Sequence, residues 1–151
     1  MVKTSAGFED LEIRKKKNDI LIGVLAGGIS SERKVSLKTG KNILESLHRS
    51  GYDAVLIDPR DHDFIDSVKN TDIAFLALHG RYGEDGTVQG LLELLKVPYT
   101  GSGVLSSALV IDKVLTKKIM MREGIPTPSY IEIDSRDPVK KIIHIEGEIV
   151  R

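Results

Sequence analysis

The sequence contains no cysteine. It therefore holds no disulfide framework and no thiolate metal site, which suits a reducing compartment and makes cytoplasm the expected location. It has no net charge either, because 22 Lys and Arg balance 22 Asp and Glu. Without a global excess of positive charge there is no electrostatic ground for nucleic acid or an anionic membrane as partner, and neither is expected. No apolar run approaches the roughly 20 residues that cross a bilayer. Residues 1–19 lack a sustained apolar face and carry Lys3, Glu9, Asp10, Glu12, Arg14 and Lys15 to Lys17. They read as a solvated extension, not as a signal peptide. Internal repeats and low-complexity tracts are also lacking. The 151 residues suit one domain, or one domain and the start of another.

What is present is an alternation of strands and helices. Ile20 to Ala26 is a continuous apolar run of the kind that forms a strand covered on both faces. Within Val35 to Ser50, Ile43, Leu44 and Leu47 recur at helical spacing, and Gly51 supplies a stop. Tyr52 to Asp58 reads as a second strand ended by Pro59, Phe64 to Lys69 as a short helix, and Asp72 to Leu78 as a third, buried strand. Val88 to Lys96 predicts a short apolar helix and "VPYTGSG" a short strand and turn. Val104 to Arg122 predicts one long helix, with Ser102 as its cap, Gly124 as its end and Pro126 just beyond. After "PTP", Tyr130 to Ile133 predicts a strand, "DSRDPVKK" a polar turn into a helix, and Gly147 to Arg151 the opening of a further strand. The pattern implies a doubly wound parallel α/β sheet followed by the beginning of a second unit.

In such a sheet, ligands sit beyond the carboxyl ends of the strands, where two polar loops fall: "GGISSER" after the first strand and "HGRYGEDGTVQG" after the third. The first has neither the glycine spacing of a dinucleotide loop nor the Gly-Lys-Ser/Thr ending of a phosphate loop. Glu32 occupies the place a phosphate would take. A carboxylate at a helix N-terminus is favoured in its charged form and suits an ammonium ligand. The alternative is a plain turn in which Ser30 or Ser31 caps the helix and Glu32 meets first-turn N–H groups. Arg33 reads as a surface ion-pair partner or as a group that orients Glu32 or another carboxylate, and Lys34 as exposed. In the second loop His79 closes a buried strand, where its imidazole can hydrogen-bond an acyl oxygen or serve only as a structural donor. Arg81, Glu84, Asp85, Thr87 and Gln89 follow among four glycines, with Asp85 or Thr87 as caps in the bland reading. Glu84 and Asp85 are consecutive and tend to point apart, so no metal site is read here. Lys113, after "LVID", has apolar neighbours and needs an anion or a path to solvent.

Together "GGISSERKVSL", "LHGRYGEDGTVQGLLELLKVPYTGSG" and "SSALVIDKVLTKKIM" resemble the amino-terminal portion of the D-alanine–D-alanine ligases of the ATP-grasp superfamily, over Ile20 to about Ile133. The resemblance implies a Rossmann-like substrate domain over residues 20–101, preceded by the 1–19 extension. Residues 102–151 would then begin the central ATP-grasp lobe, with "YTGSG" as the hinge. It implies that ATP phosphorylates the carboxylate of one D-alanine and that the amine of a second displaces phosphate, assisted by two magnesium ions. Through "SER", Glu32 would bind and orient the first D-alanine's ammonium, with Ser31 beside it. Through "LHG", His79 and Gly80 would approach that substrate's carboxyl group, Glu32 and His79 being the catalytic pair. Through "DK", Lys113 would contact ATP phosphate. A homodimer formed through the amino-terminal domain is implied as well.

Lys34 departs from the family, where many relatives carry glutamate. The family's second phosphate-binding lysine, adenine-binding strand, phosphoryl-stabilising arginine, magnesium ligands and lid lie downstream of Arg151, so the chain reads as an amino-terminal fragment, inactive alone. Two other readings stand beside this one: a freestanding module that binds a small ligand or partner without chemistry, and a ligase whose second substrate is D-lactate.

Overall fold

The computed structural model describes residues 19–132. The expected turn, helix and strand beyond Ile133 lie outside them. Contacts divide the chain into two units, one ending at Ile111 and the other starting at Asp112.

The first unit is built on a parallel sheet of β1 (Leu21–Leu25), β2 (Asp53–Ile57) and β3 (Ile73–Leu76) in the order β2-β1-β3. Leu21 pairs with Asp53 and Leu25 with Ile57 on one side of β1; Ile22 pairs with Ile73 and Leu25 with Leu76 on the other. The central strand is flanked on both edges and covered on both faces, which is why it reads as an unbroken apolar run. β2 is less evenly covered, with Ala54 and Ile57 buried on opposite faces and Asp53 and Val55 exposed. "VPYTGSG" contributes less than a full strand: Tyr99 makes a single parallel bridge to Ala74, flanked by bonds from Ala74 N to Pro98 O (2.8 Å) and from Thr100 N to Ala74 O (3.0 Å).

Helices α1 (Arg33–Arg49), α2 (Phe64–Lys69), α3 (Thr87–Leu94) and α4 (Val104–Ile111) complete the unit. Ile43, Leu44 and Leu47 of α1 pack on Ile22, Val24, Ala26, Ala54 and Ala77. Phe64 and Val68 of α2 and Val88 and Leu92 of α3 join Leu25, Ile57, Ala74 and Leu78 in a separate cluster. The sheet thus has an apolar layer on each face, as doubly wound topology requires.

The helix expected over Val104 to Arg122 is two helices. Asp112 leaves helical geometry (φ −83°, ψ 101°) and caps α5 (Lys113–Arg122), accepting from Leu115 N at 2.9 Å on its carboxylate. Thr116 N and Oγ1 both donate to its carbonyl, at 2.9 and 2.8 Å. An aspartate competes for backbone N–H groups in this way, and here it restarts the helix. The expected Ser102 cap is replaced by a contact of its carbonyl, which accepts from Ser107 Oγ at 3.3 Å. Tyr130 to Glu132 form no strand. Gly124 (φ 68°) ends α5 as expected.

Helix α1 approaches β1 closely at one point. A Cβ on Gly40 would overlap Ala26 Cβ and stand 3.1 Å from Leu56 Cδ1. Gly40→Ala should therefore destabilise the chain by about 1–3 kcal/mol through overpacking, even though alanine is the better helix former by about 1 kcal/mol. Urea denaturation checks this; an unchanged midpoint would show that α1 can move away.

Candidate functional site

The order β2-β1-β3 makes the carboxyl ends of β1 and β3 the place where the connections diverge. The two polar loops meet there. Ser30 Oγ donates to His79 O at 2.8 Å. Gly80, at φ 69°, lies so close that a Cβ on it would be 3.3 Å from Ser30 Oγ and 3.7 Å from Glu32 Cδ. The structure therefore brings Ser30, Glu32, His79 and Gly80 together, with Ser31 exposed in the turn beside them.

A buried serine fixes this junction from below. Ser36 Oγ, fully buried, accepts from Gly27 N at 2.8 Å and donates to Ala77 O at 2.7 Å. One hydroxyl thus satisfies an N–H after β1 and a carbonyl after β3, groups that no strand partner reaches. Thr39, one turn on, holds the His79 ring through Oγ1 and Nε2 at 3.3 Å. Nδ1 of the ring lies 3.7 Å from Glu84 Oε1, beyond hydrogen-bond length.

Glu32 is the N-cap residue of α1 (φ −89°, ψ 8°), and its side chain caps nothing. Its N–H donates to Ser30 Oγ at 3.1 Å and its carbonyl accepts from Ser36 N at 3.0 Å, so the backbone is held from both sides. Among the described residues the Glu32 carboxylate has no hydrogen bond and no ion pair. The turn-only reading, in which it meets first-turn N–H groups, is therefore not what the geometry shows.

Arg33 takes the second of its two readings and orients a carboxylate, but not that of Glu32. Its Nη1 donates to Asp58 Oδ1 at 2.9 Å and to Gly28 O at 3.0 Å, while Nη2 lies 2.6 Å from Asp58 Oδ2. This two-pronged geometry is the one a guanidinium is built for. Asp58 Oδ1 also accepts from Gly28 N (2.9 Å) and Arg60 N (3.0 Å). Asp58 was not among the residues the sequence singled out; its only signal is an acid at the end of a parallel strand, beside a ligand crevice. Ser36 and Thr39 gave less, since both read as interior positions of a helix. Lys34 is exposed, as read.

The second loop holds itself. Asp85 accepts from Tyr82 N at 2.8 Å and Thr87 N at 3.0 Å, Glu84 Oε2 accepts from Gly80 N at 3.0 Å, and Gln89 Nε2 donates to Gly83 O at 3.0 Å. The cap of α3 is Gly86 in left-handed geometry, not the side chain of Asp85 or Thr87. The Arg81 guanidinium stacks over the Tyr82 ring at 4.9 Å. On the side of α2 and α3 the loops enclose a largely apolar cavity of about 200 Å³ lined by Ile29, Phe64, Leu78, Val88 and Leu91. Among the described residues no three His, Asp or Glu side chains converge on one point.

In the second unit Lys113 is the first residue of α5 and is exposed. The apolar "LVI" that precedes it belongs to α4, and Lys113 opens a new helix. Among the described residues of this unit Lys117 is half-buried; its Nζ donates to Thr127 Oγ1 (2.9 Å) and Pro128 O (2.8 Å) and lies 5.1 Å from the Tyr130 ring centre. It ties the "PTP" segment to α5.

Burial alone would raise the Asp58 carboxyl, but hydrogen bonds from Arg33, Gly28 and Arg60 outweigh it and hold the group below the usual carboxylate range. Asp85 is lowered in the same way by the N–H groups around it. A depressed carboxyl stabilises the fold above its unfolded value and loses that contribution as pH falls through the folded one. The melting temperature should therefore drop below about pH 4. Asp58→Asn should lower it at neutral pH and flatten the acid limb; an unaltered acid limb in melts across this range would remove Asp58 from the account.

Comparison with known proteins follows the same lines. The family described as D-ala D-ala ligase N-terminus matches residues 58–102. The D-alanine–D-alanine ligase of Carboxydothermus hydrogenoformans is 58% identical over 112 residues, which are 73% of this chain and 36% of that protein. That of Pelotomaculum thermopropionicum is 54% identical over 129 residues, 84% of this chain and 40% of that protein. The crystal structure of the Bacillus anthracis D-alanine–D-alanine ligase complexed with ATP superposes with a TM-score of 0.70 at 48% identity, covering 79% of this chain and 41% of that one. The chain thus spans 36–40% of the length of these curated relatives. With this likeness in sequence and a doubly wound sheet in common with a solved member, the chain belongs to the D-alanine–D-alanine ligase family, where it corresponds to the amino-terminal region.

Proposed function

We propose that the chain provides the first-substrate site of an ATP-dependent ligase that joins two D-alanines for cell-wall precursor synthesis. The observation that carries this reading is the Glu32 carboxylate, fixed through its backbone, open to solvent and uncommitted, at the meeting of the two switch-point loops. An ammonium is the natural partner for such a group. Glu32 binds and orients the first D-alanine through its ammonium, with Ser31 and Gly80 lining the place. His79, through Nδ1, donates to an oxygen of that substrate's carboxyl group. ATP supplies the phosphoryl group that makes this carboxyl an acyl donor, after which the amine of a second D-alanine attacks the acyl carbon, loses a proton and displaces phosphate. Lys113 holds a phosphate oxygen of the nucleotide.

The lobe boundary near Gly101, the magnesium ions and most of the nucleotide site belong to this proposal, with their groups supplied by protein beyond this chain. Charge neutralisation provides most of the catalysis in phosphoryl transfer, so the 151 residues alone should be inactive. A homodimer and a cytoplasmic location are part of the same reading. Support for the first comes from exposed apolar side chains such as Leu94 and Leu105, and for the second from the absence of cysteine. No described helix is long and apolar enough to cross a membrane.

The test is D-alanine-dependent phosphate release from ATP and magnesium, by this chain and by the chain continued to the length of its relatives. Activity of the longer protein alone supports the reading; no activity in either favours a binding module or another substrate. In the longer protein Glu32→Gln should raise the KM for the first D-alanine about 10–100-fold, since a charged hydrogen bond contributes roughly 1.5–3 kcal/mol. An unchanged KM would remove Glu32 from the site. Lys113→Met should raise the KM for ATP without moving the melting temperature; the reverse pattern would make Lys113 structural.

A further inference from the structure

Glu32 can serve an ammonium only while no cation of the protein occupies it. Arg33 is the cation next to it in sequence, and side chains of adjacent residues do pair in this molecule: Arg122 Nε lies 3.8 Å from the carboxylate of its neighbour Glu123. Arg33 is nevertheless engaged elsewhere, by both oxygens of Asp58 and by Gly28 O. Asp58 comes from the end of β2, and its side chain is largely buried, with 12% exposure. Its carboxylate is anchored independently of Arg33 by Gly28 N and Arg60 N. Gly27, at φ 99°, makes room for the arrangement, since a Cβ there would overlap the Asp58 carboxylate. The anchor thus has supports other than the guanidinium, and it holds the charge of Arg33 at the end of β2.

We propose that Asp58 is a positioning residue that sequesters Arg33 and so keeps the Glu32 carboxylate free for the ammonium of the first amino-acid substrate. The inference rests on the reading of Glu32 given above. A purely structural pair would hold the loop and nothing else, so removing either partner would have the same effect. Sequestration makes the two partners unequal. Loss of Asp58 releases a guanidinium beside Glu32, whereas loss of Arg33 removes the competitor.

The experiment is steady-state kinetics of the full-length ligase carrying Asp58→Asn, Arg33→Gln, both changes together, or Glu32→Gln. Asp58→Asn should raise the first-substrate KM roughly threefold to tenfold, the scale of an exposed competing ion pair with some loss of loop order. Its kcat and ATP KM should stay in place. Arg33→Gln alone should change the first-substrate KM less than about twofold, and adding it to Asp58→Asn should recover most of the loss. A double variant no better than Asp58→Asn, or an Arg33→Gln enzyme as impaired as Asp58→Asn, would overturn sequestration. Should Asp58→Asn fold poorly, Asp58→Ser takes its place, with the same rise in first-substrate KM and the same recovery on adding Arg33→Gln expected; no rise, or no recovery, overturns sequestration. If Glu32→Gln raises KM while Asp58→Asn does not, sequestration alone fails; if Glu32→Gln has no effect, the assignment of Glu32 fails and sequestration with it.

Discussion

One buried hydroxyl organises the end of the sheet. Where β1 and β3 part, the N–H of Gly27 and the carbonyl of Ala77 have lost their strand partners inside the protein. Leaving either unpaired costs about 1–3 kcal/mol, and Ser36 serves both with a single oxygen. Because Ser36 sits in the first turn of α1, satisfying the strand ends also fixes where that helix begins. The helix start places Glu32 and Arg33, and Thr39 one turn later reaches His79. The candidate site is thereby a by-product of backbone accounting: groups that must be paired for the chain to fold are paired by residues of the helix that Glu32 opens.

Three carboxylates near this junction show how environment divides labour among identical groups. Asp58 and Asp85 are saturated by N–H groups, and Asp58 also by a guanidinium, so their charge is spent on shaping loops. Glu32 has its backbone held and its charge unspent. Two faces of the crevice differ likewise. The α1 side presents Glu32 and Thr39, while the α2 and α3 side holds a half-open, largely apolar cavity whose wall also includes His79 and Arg81. An amphipathic metabolite would find charge on one side and hydrocarbon on the other.

Most of the fold was legible because burial writes itself into runs and spacings. The central strand is apolar throughout because it is covered everywhere, and Ile43, Leu44 and Leu47 recur at the period of a helix lying on a sheet. The break at Asp112 was misread because apolar continuity on either side outweighed a capping residue in their midst, and Lys113 was placed among neighbours that the break moves to another helix. Glu32 could be located but not judged, since whether its carboxylate turns back onto the first-turn N–H groups is a matter of side-chain geometry that no local pattern announces. Asp58 was invisible for a topological reason. Its partner precedes it by 25 residues, and the two meet only because β2 lies parallel to β1, which no local pattern announces.

The tight crossing of α1 over β1 has a bearing on how such a chain varies over time. Gly40 and Ala26 share a space with room for one methyl group and no more. A methyl group at position 40 is tolerated only with glycine at position 26, just as the methyl of Ala26 is tolerated only with glycine at position 40. The two positions hold one joint volume between them, so in a lineage of such proteins they should drift as a pair even though they lie on different elements and neither touches a ligand.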